Sequence, residues 1–157
     1  MKQIRLQDQE VKKDTVKTKK LKGSYYKIIS KSKRTVQYVK PVKKNIISVT
    51  IPSSIKLNGK RYKVTGIAAN AFKNCKKLKK VTIGINVNSI GKRAFYGCSK
   101  LQTIKVKTSK LTGSRVGKQA FKGLNKKAVI KVPKKQLKAY KRLFRVKGVG
   151  KKVTIKK

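Results

Sequence analysis

Acidic side chains are nearly missing from this chain: of 157 residues, 47 are Lys or Arg and only 3 are Asp or Glu, with no His and no Trp. The three acids are Asp8, Glu10 and Asp14, and none follows. General acid–base catalysis takes His, Asp or Glu beside the reacting proton. Hard-metal sites take carboxylates, and most zinc sites take His or several Cys. From Thr15 onward the ionisable side chains are Lys, Arg, Tyr and two cysteines. No catalytic dyad, triad or paired-carboxylate site can be assembled from those, so neither an enzyme nor a metal or cofactor is expected. A Lys or Cys nucleophile without a partner base is the only chemistry left.

Long apolar runs are missing too. None approaches the roughly 18 residues a membrane helix needs, so membrane insertion is not expected. The start, Met1-Lys2-Gln3-Ile4-Arg5-Leu6-Gln7-Asp8, has no apolar core of the kind that marks a signal peptide. The expectation is a cytosolic chain, or a piece whose export signal lies elsewhere or was removed. A formal charge of +44 opposes compaction and favours a monomer. With modest hydrophobicity such charge ordinarily signals disorder. That reading is kept for the first two dozen residues and rejected for the rest, because there the apolar residues recur in order.

The order is a repeat. One unit runs Ile67-Ala68-Ala69-Asn70-Ala71-Phe72-Lys73-Asn74-Cys75, then Leu78, Val81 and Ile83. The next runs Ile90-Gly91-Lys92-Arg93-Ala94-Phe95-Tyr96-Gly97-Cys98, then Leu101, Ile104 and Val106. A third begins Val116-Gly117-Lys118-Gln119-Ala120-Phe121 and passes Leu124 to Ile130 and Val132. Phe72 to Phe95, Cys75 to Cys98 and Leu78 to Leu101 are each 23 residues apart, and Phe95 to Phe121 is 26. The difference reads as a three-residue insertion around Thr108 to Arg115.

Each unit ends in the L-x-x-L-x-L pattern, whose final alternation makes a short strand with one apolar face. The preceding spacing suits one or two helical turns. One unit cannot bury its own stripe, but stacked units can. Burial of each Phe, Leu or Ile contributes about 1.5–3 kcal/mol. Roughly six such residues per unit offset the ordering entropy and the repulsion. Phe72, Phe95, Phe121, Cys75, Cys98, Leu78 and Leu101 are the expected core ladder.

These strings, with Val49-Thr50-Ile51-Pro52 as an opening strand, resemble the BspA-type leucine-rich repeats of bacterial surface and secreted proteins and of some protozoan ones. The resemblance covers about 47–157. It implies a repeat solenoid, an α/β horseshoe-like fold with a short parallel sheet and short helical turns. It also implies adhesion or partner binding at the cell surface, and says nothing of which partner. Ala68 stands where the motif has Gly, Leu124 where it has Cys, and Lys127 where it has Leu. The last two suit a terminal unit.

Four segments are expected along the chain. Residues 1–24 are a charged leader. Residues 25–64 hold N-terminal strands and a β-hairpin turning at Asn58-Gly59, a pair that accepts positive φ at both positions. Residues 65–132 are the repeats. Residues 133–157 form a C-terminal cap in which Pro133 opens a helix, Leu137, Tyr140 and Phe144 share a face, Gly148 stops it, and Val153-Thr154-Ile155 is a last strand. A membrane-surface role for that basic helix is the lesser alternative to packing on the last unit.

Two features tempt a functional reading. Cys75 and Cys98 hold equivalent places on neighbouring units. Inert buried thiols are favoured there, with a disulfide as the alternative. The outward strand positions Lys80, Thr82, Thr103, Lys105, Lys107 and Lys131, with Thr50 and Thr154, form a Thr/Lys stripe free of acids. It suits a protein or a sulfated, phosphorylated or carboxylated polymer better than a small molecule. Of the 47 bases 40 are Lys and 7 are Arg. Arg is the residue that reads phosphates and base edges in bidentate fashion, so nucleic acid is expected to bind only non-specifically. Three roles compete: an interaction or adhesion module, a basic nucleic-acid-binding protein, and a structural end piece of a larger surface protein.

Overall fold

The computed structural model describes residues 18–157. Residues 1–17, most of the expected leader, lie outside the described residues. The strand β1 (Lys19–Leu21) falls within the stretch expected as leader, and turns through Lys22-Gly23 to pair antiparallel with β2 (Ser24–Ser30). β2 pairs antiparallel with β3 (Thr35–Pro41). β4 (Ser48–Ile51) opens a second sheet. β5 (Ser54–Leu57) and β6 (Lys60–Ile67) are antiparallel about Asn58-Gly59, whose φ values of 51° and 76° are the left-handed turn that those two residues tolerate.

Three more strands repeat the β4 theme: β7 (Lys80–Ile83), β9 (Thr103–Val106) and β10 (Val129–Lys131), with the two-residue β8 (Ser89–Ile90) pairing β6. The one α-helix among the described residues, α1 (Leu137–Val146), follows, then β11 (Thr154–Lys156). The second sheet runs β11-β10-β9-β7-β4, all parallel and in register: Val49, Val81, Ile104, Ile130 and Ile155 form one row. The chain thus coils once per strand, and each coil is a rung laid on the last.

The opposite wall is not helical, which corrects the expected helical turns. Asn70, Asn74, Arg93, Gly97, Gln119 and Gly123 all have positive φ, which breaks any helix after a single turn. The cause is the bonding between rungs. The N–H groups of Asn70, Phe72 and Asn74 donate to the carbonyls of Lys92, Ala94 and Tyr96. Arg93, Phe95 and Gly97 donate to Lys118, Ala120 and Lys122 in the same way. Every second peptide must point at the next rung, and a helix would point them all along its own axis. Gly91 and Gly117 are fixed by the same closeness: a Cβ on either would land on the backbone of the rung before, at Ala69 and Lys92. Ala68, at the equivalent position of the first rung, lies against β3 instead, where its N–H donates to Tyr38.

Inside, the aromatic rings stand in one column. Ring centroids are 5.2 Å apart for Tyr38–Phe72, 5.1 Å for Phe72–Phe95 and 5.3 Å for Phe95–Phe121, all stacked within 20° of parallel. Phe144 of α1 meets Phe121 edge-on at 5.0 Å. Leu78, Leu101, Cys75 and Cys98 are buried beside the column. In the third unit Lys127 is exposed and Ala128 takes the buried place. Pro133 precedes a 3-10 turn (Lys134–Gln136), and α1 starts only at Leu137.

Candidate interaction face

The parallel register decides which outward side chains become neighbours. Adjacent strands are about 4.8 Å apart, so partners in register form continuous rows across the sheet. One row is Ser48, Lys80, Thr103, Val129 and Thr154. The next is Thr50, Thr82, Lys105, Lys131 and Lys156. The stripe read from the sequence therefore divides. Lys105 and Lys131 are neighbours in one row, Lys80 lies beside Thr103 in the other, and Lys107 sits just beyond β9, where its N–H donates to the Ile83 carbonyl. The four lysines are exposed, while Thr82 and Thr103 are half-buried between them. Lys156 and Ser48 belong to the rows and were not anticipated. Lys156 was legible in principle as the position after Ile155, matching Lys105 after Ile104.

No Asp or Glu occurs beyond Asp14, so the face carries positive charge with no side-chain carboxylate of the described residues to neutralise it. Three lysines on consecutive strands form a ladder of like charges. Such a ladder is unfavourable by itself and is relieved when an anion bridges it.

The rest of the described chain offers little chemistry. Cys75 and Cys98 are free and buried. Burial pushes the Cys98 thiol up to about 12, with a smaller push from Cys75, and burial raises Cys75 as well. The Cys98 Sγ donates to the Phe72 carbonyl at 3.0 Å. A thiol held protonated is a poor nucleophile. Among the described residues no three His, Cys, Asp or Glu side chains cluster as metal ligands, and no helix is long and apolar enough to cross a membrane. The buried polar contacts the sequence did not disclose are structural. The Tyr140 hydroxyl donates to the Thr108 carbonyl and accepts from the Leu111 N–H, and the Thr108 hydroxyl donates to the Val87 carbonyl at 2.6 Å. The three-residue insertion is thereby tied to α1.

Comparison with known proteins agrees with this geometry. The family described as "BspA type Leucine rich repeat region (6 copies)" matches residues 42–157. A leucine-rich cell surface protein from Faecalibacterium prausnitzii is similar over 78% of this chain and 38% of its own, at 20% identity and a TM-score of 0.58. A leucine-rich repeat protein from Bacteroides capillosus is similar over 74% of this chain and 83% of its own, at 25% identity and a TM-score of 0.57. A third, from Bacteroides ovatus, covers 71% of this chain and 36% of its own, at 22% identity and a TM-score of 0.53. The chain thus spans well under half the length of the first and third of these. No curated protein matches the sequence.

Proposed function

The chain belongs to the BspA type leucine-rich-repeat family, and from that premise we propose that it is a non-catalytic interaction module holding a protein or an anionic polymer at the cell surface. Its fold is the leucine-rich-repeat kind, with a parallel sheet and one short helix, and proteins of this kind serve as interaction scaffolds. The observation that carries the reading is the in-register ladder Lys105, Lys131 and Lys156 beside Lys80 and Lys107, exposed on one sheet face without carboxylates. An extended face of that kind is the usual binding surface of a repeat stack. A cell-surface location is supported by the description of the Faecalibacterium prausnitzii relative.

In this reading residues 65–132 form a solenoid, residues 25–64 close its N-terminal end, and residues 133–157 cap the other. Phe144 on Phe121 supports the cap. The charge favours a monomer.

The test is a panel of sulfated, carboxylated and phosphorylated glycans, DNA and candidate proteins at two salt concentrations. The triple variant Lys80→Ala, Lys105→Ala, Lys131→Ala runs alongside. The face requires a loss of about tenfold or more in the variant. Binding left intact by the variant removes the face. The charge of +44 also favours a second reading, nucleic-acid binding. That reading requires DNA or RNA to exceed other polyanions of matched charge density, with steep salt dependence. Equal, salt-erased binding to all of them rejects it.

A further inference from the structure

We propose that a groove at the N-terminal end of the stack receives an extended, carboxylate-bearing polypeptide segment, which adds to the parallel sheet as its sixth strand. The site adjoins the lysine face at β4, whose Ser48 and Thr50 belong to the rows of that face and also line the groove. The groove is a cavity of about 680 Å³ lined by β4, by the strands β1 to β3 and by the hairpin β5–β6.

Three observations carry the proposal. The first is an open strand edge. Among the described residues β4 pairs only with β7. In a parallel sheet the N–H and C=O of one residue point the same way, and successive residues alternate sides. The Lys80 N–H donates to the Ile47 carbonyl, which with the pairing Ser48–Lys80 sets Ile47 on the β7 side. Odd-numbered residues of β4 therefore face β7, and the peptide groups of Ser48 and Thr50 face the groove. Both residues line it.

The second observation is an incompletely covered rung. Val81, Ile104 and Ile130 are 0% exposed and Ile155 is 4% exposed. Val49, the fifth member of their row, is only half-buried, and Ile47 beside it is 61% exposed. Elsewhere in the row a side chain is sealed by a neighbouring strand or by the C-terminal segment. The third observation is charge. The floor is apolar, with Tyr26, Tyr38, Ile46 and Ile55, and the bases of the lining are Lys22, Lys56 and Arg61. No described residue is acidic, so carboxylates on an occupant would complement these exposed bases.

These features together describe strand addition: main-chain hydrogen bonds give the affinity, and alternate side chains give the specificity. The matching segment has small apolar residues at alternate positions, to lie over Val49, and carboxylates between or beside them to reach Lys22, Lys56 and Arg61. A polysaccharide offers neither the peptide groups nor the apolar alternation, so the groove rejects one class of polymer that the lysine face accepts.

The test is fluorescence anisotropy on the full chain with a labelled, acetylated hexapeptide alternating glutamate with valine. Saturable binding is expected at an ionic strength of about 0.15 M. A twin N-methylated at alternate amides, made in both registers, should bind at least about tenfold more weakly in one of them. Lys56→Glu with Arg61→Glu should weaken binding by a similar factor. Ser48→Pro, which removes an outward N–H without breaking a sheet bond, should weaken it too, with melting curves checking that each variant folds. The variant lacking Lys80, Lys105 and Lys131 should bind the peptide unchanged, so failure here and failure of the lysine face are distinguishable. Equal binding of both N-methylated twins overturns the proposal, as does displacement of the peptide by heparin through charge alone. Absence of saturable binding to the full chain, as when its own residues 1–17 already fill the groove, overturns it as well.

Discussion

The two ends of the stack are finished differently. At the C-terminal end, Phe144 seals the aromatic column, Tyr140 is bonded into the insertion loop, and Val149, Val153 and Ile155 are each no more than 4% exposed. At the N-terminal end Tyr38 covers the column on Phe72, and its hydroxyl accepts from Ser24 at 2.9 Å. Among the described residues nothing covers the sheet half of that end, and Val49 and Ile47 show it. A repeat rung draws much of its stability from the interfaces it makes with its neighbours. Among the described residues the two ends therefore differ in how far the rung beneath them is buried.

The largest expected effect tests whether the C-terminal cover is part of the fold. Phe144→Ala removes a fully buried ring and should cost about 3–5 kcal/mol, read from urea unfolding. A cost below about 1 kcal/mol would mean that α1 is an appendage and that the two ends are equivalent. Tyr140→Phe is the finer probe of the same end. It deletes one hydroxyl that serves two backbone groups, the Thr108 carbonyl and the Leu111 N–H. A loss of about 1–3 kcal/mol is expected, with the unfolding slope unchanged.

The next comparison sets interior against open end. Val81→Ala should cost about 2 kcal/mol, and Val49→Ala less than half as much, because the side chain at Val49 is already partly in water. Equal costs in paired denaturation curves would mean that Val49 is covered in solution.

The smallest effect concerns the buried thiols. The Cys98 pKa is about 12 in the fold against 9.0 for the free group. The unfolded chain therefore releases this proton first as pH rises. The stability linked to it is complete below pH 9.0 and is lost as pH climbs toward about 12. The gap in stability between the native chain and Cys98→Ala should narrow over that window. A gap that stays constant would place Cys98 in a wetter site than the column interior.

Much of this was legible in the residues. The equal spacing of Phe72, Cys75 and Leu78 from their counterparts requires stacking in register, since only that brings identical apolar positions together. The Asn58-Gly59 turn was legible because few other pairs take positive φ twice. The turns of the repeat were misread as helical because apolar spacing records which side chains go inward and not which way the peptides point. Arg93 and Gln119 at positive φ carry no signal of their own. The lysine stripe could be named but not sorted into rows, because rows exist only once strands are paired.

The sequence by itself determined that there is a rung, how long it is, what fills it, and that the chain beyond Asp14 has no acid with which to answer its bases. These follow from the one-dimensional order of apolar and charged residues. The tertiary structure alone decided how the ends close: that Tyr38 and Phe144 complete a column begun by Phe72, that Tyr140 finds Thr108, and that among the described residues β4 pairs on one side only. Those contacts join segments far apart in the chain. Nothing local favours them, and they exist because a stack that buries its middle must do something with its ends.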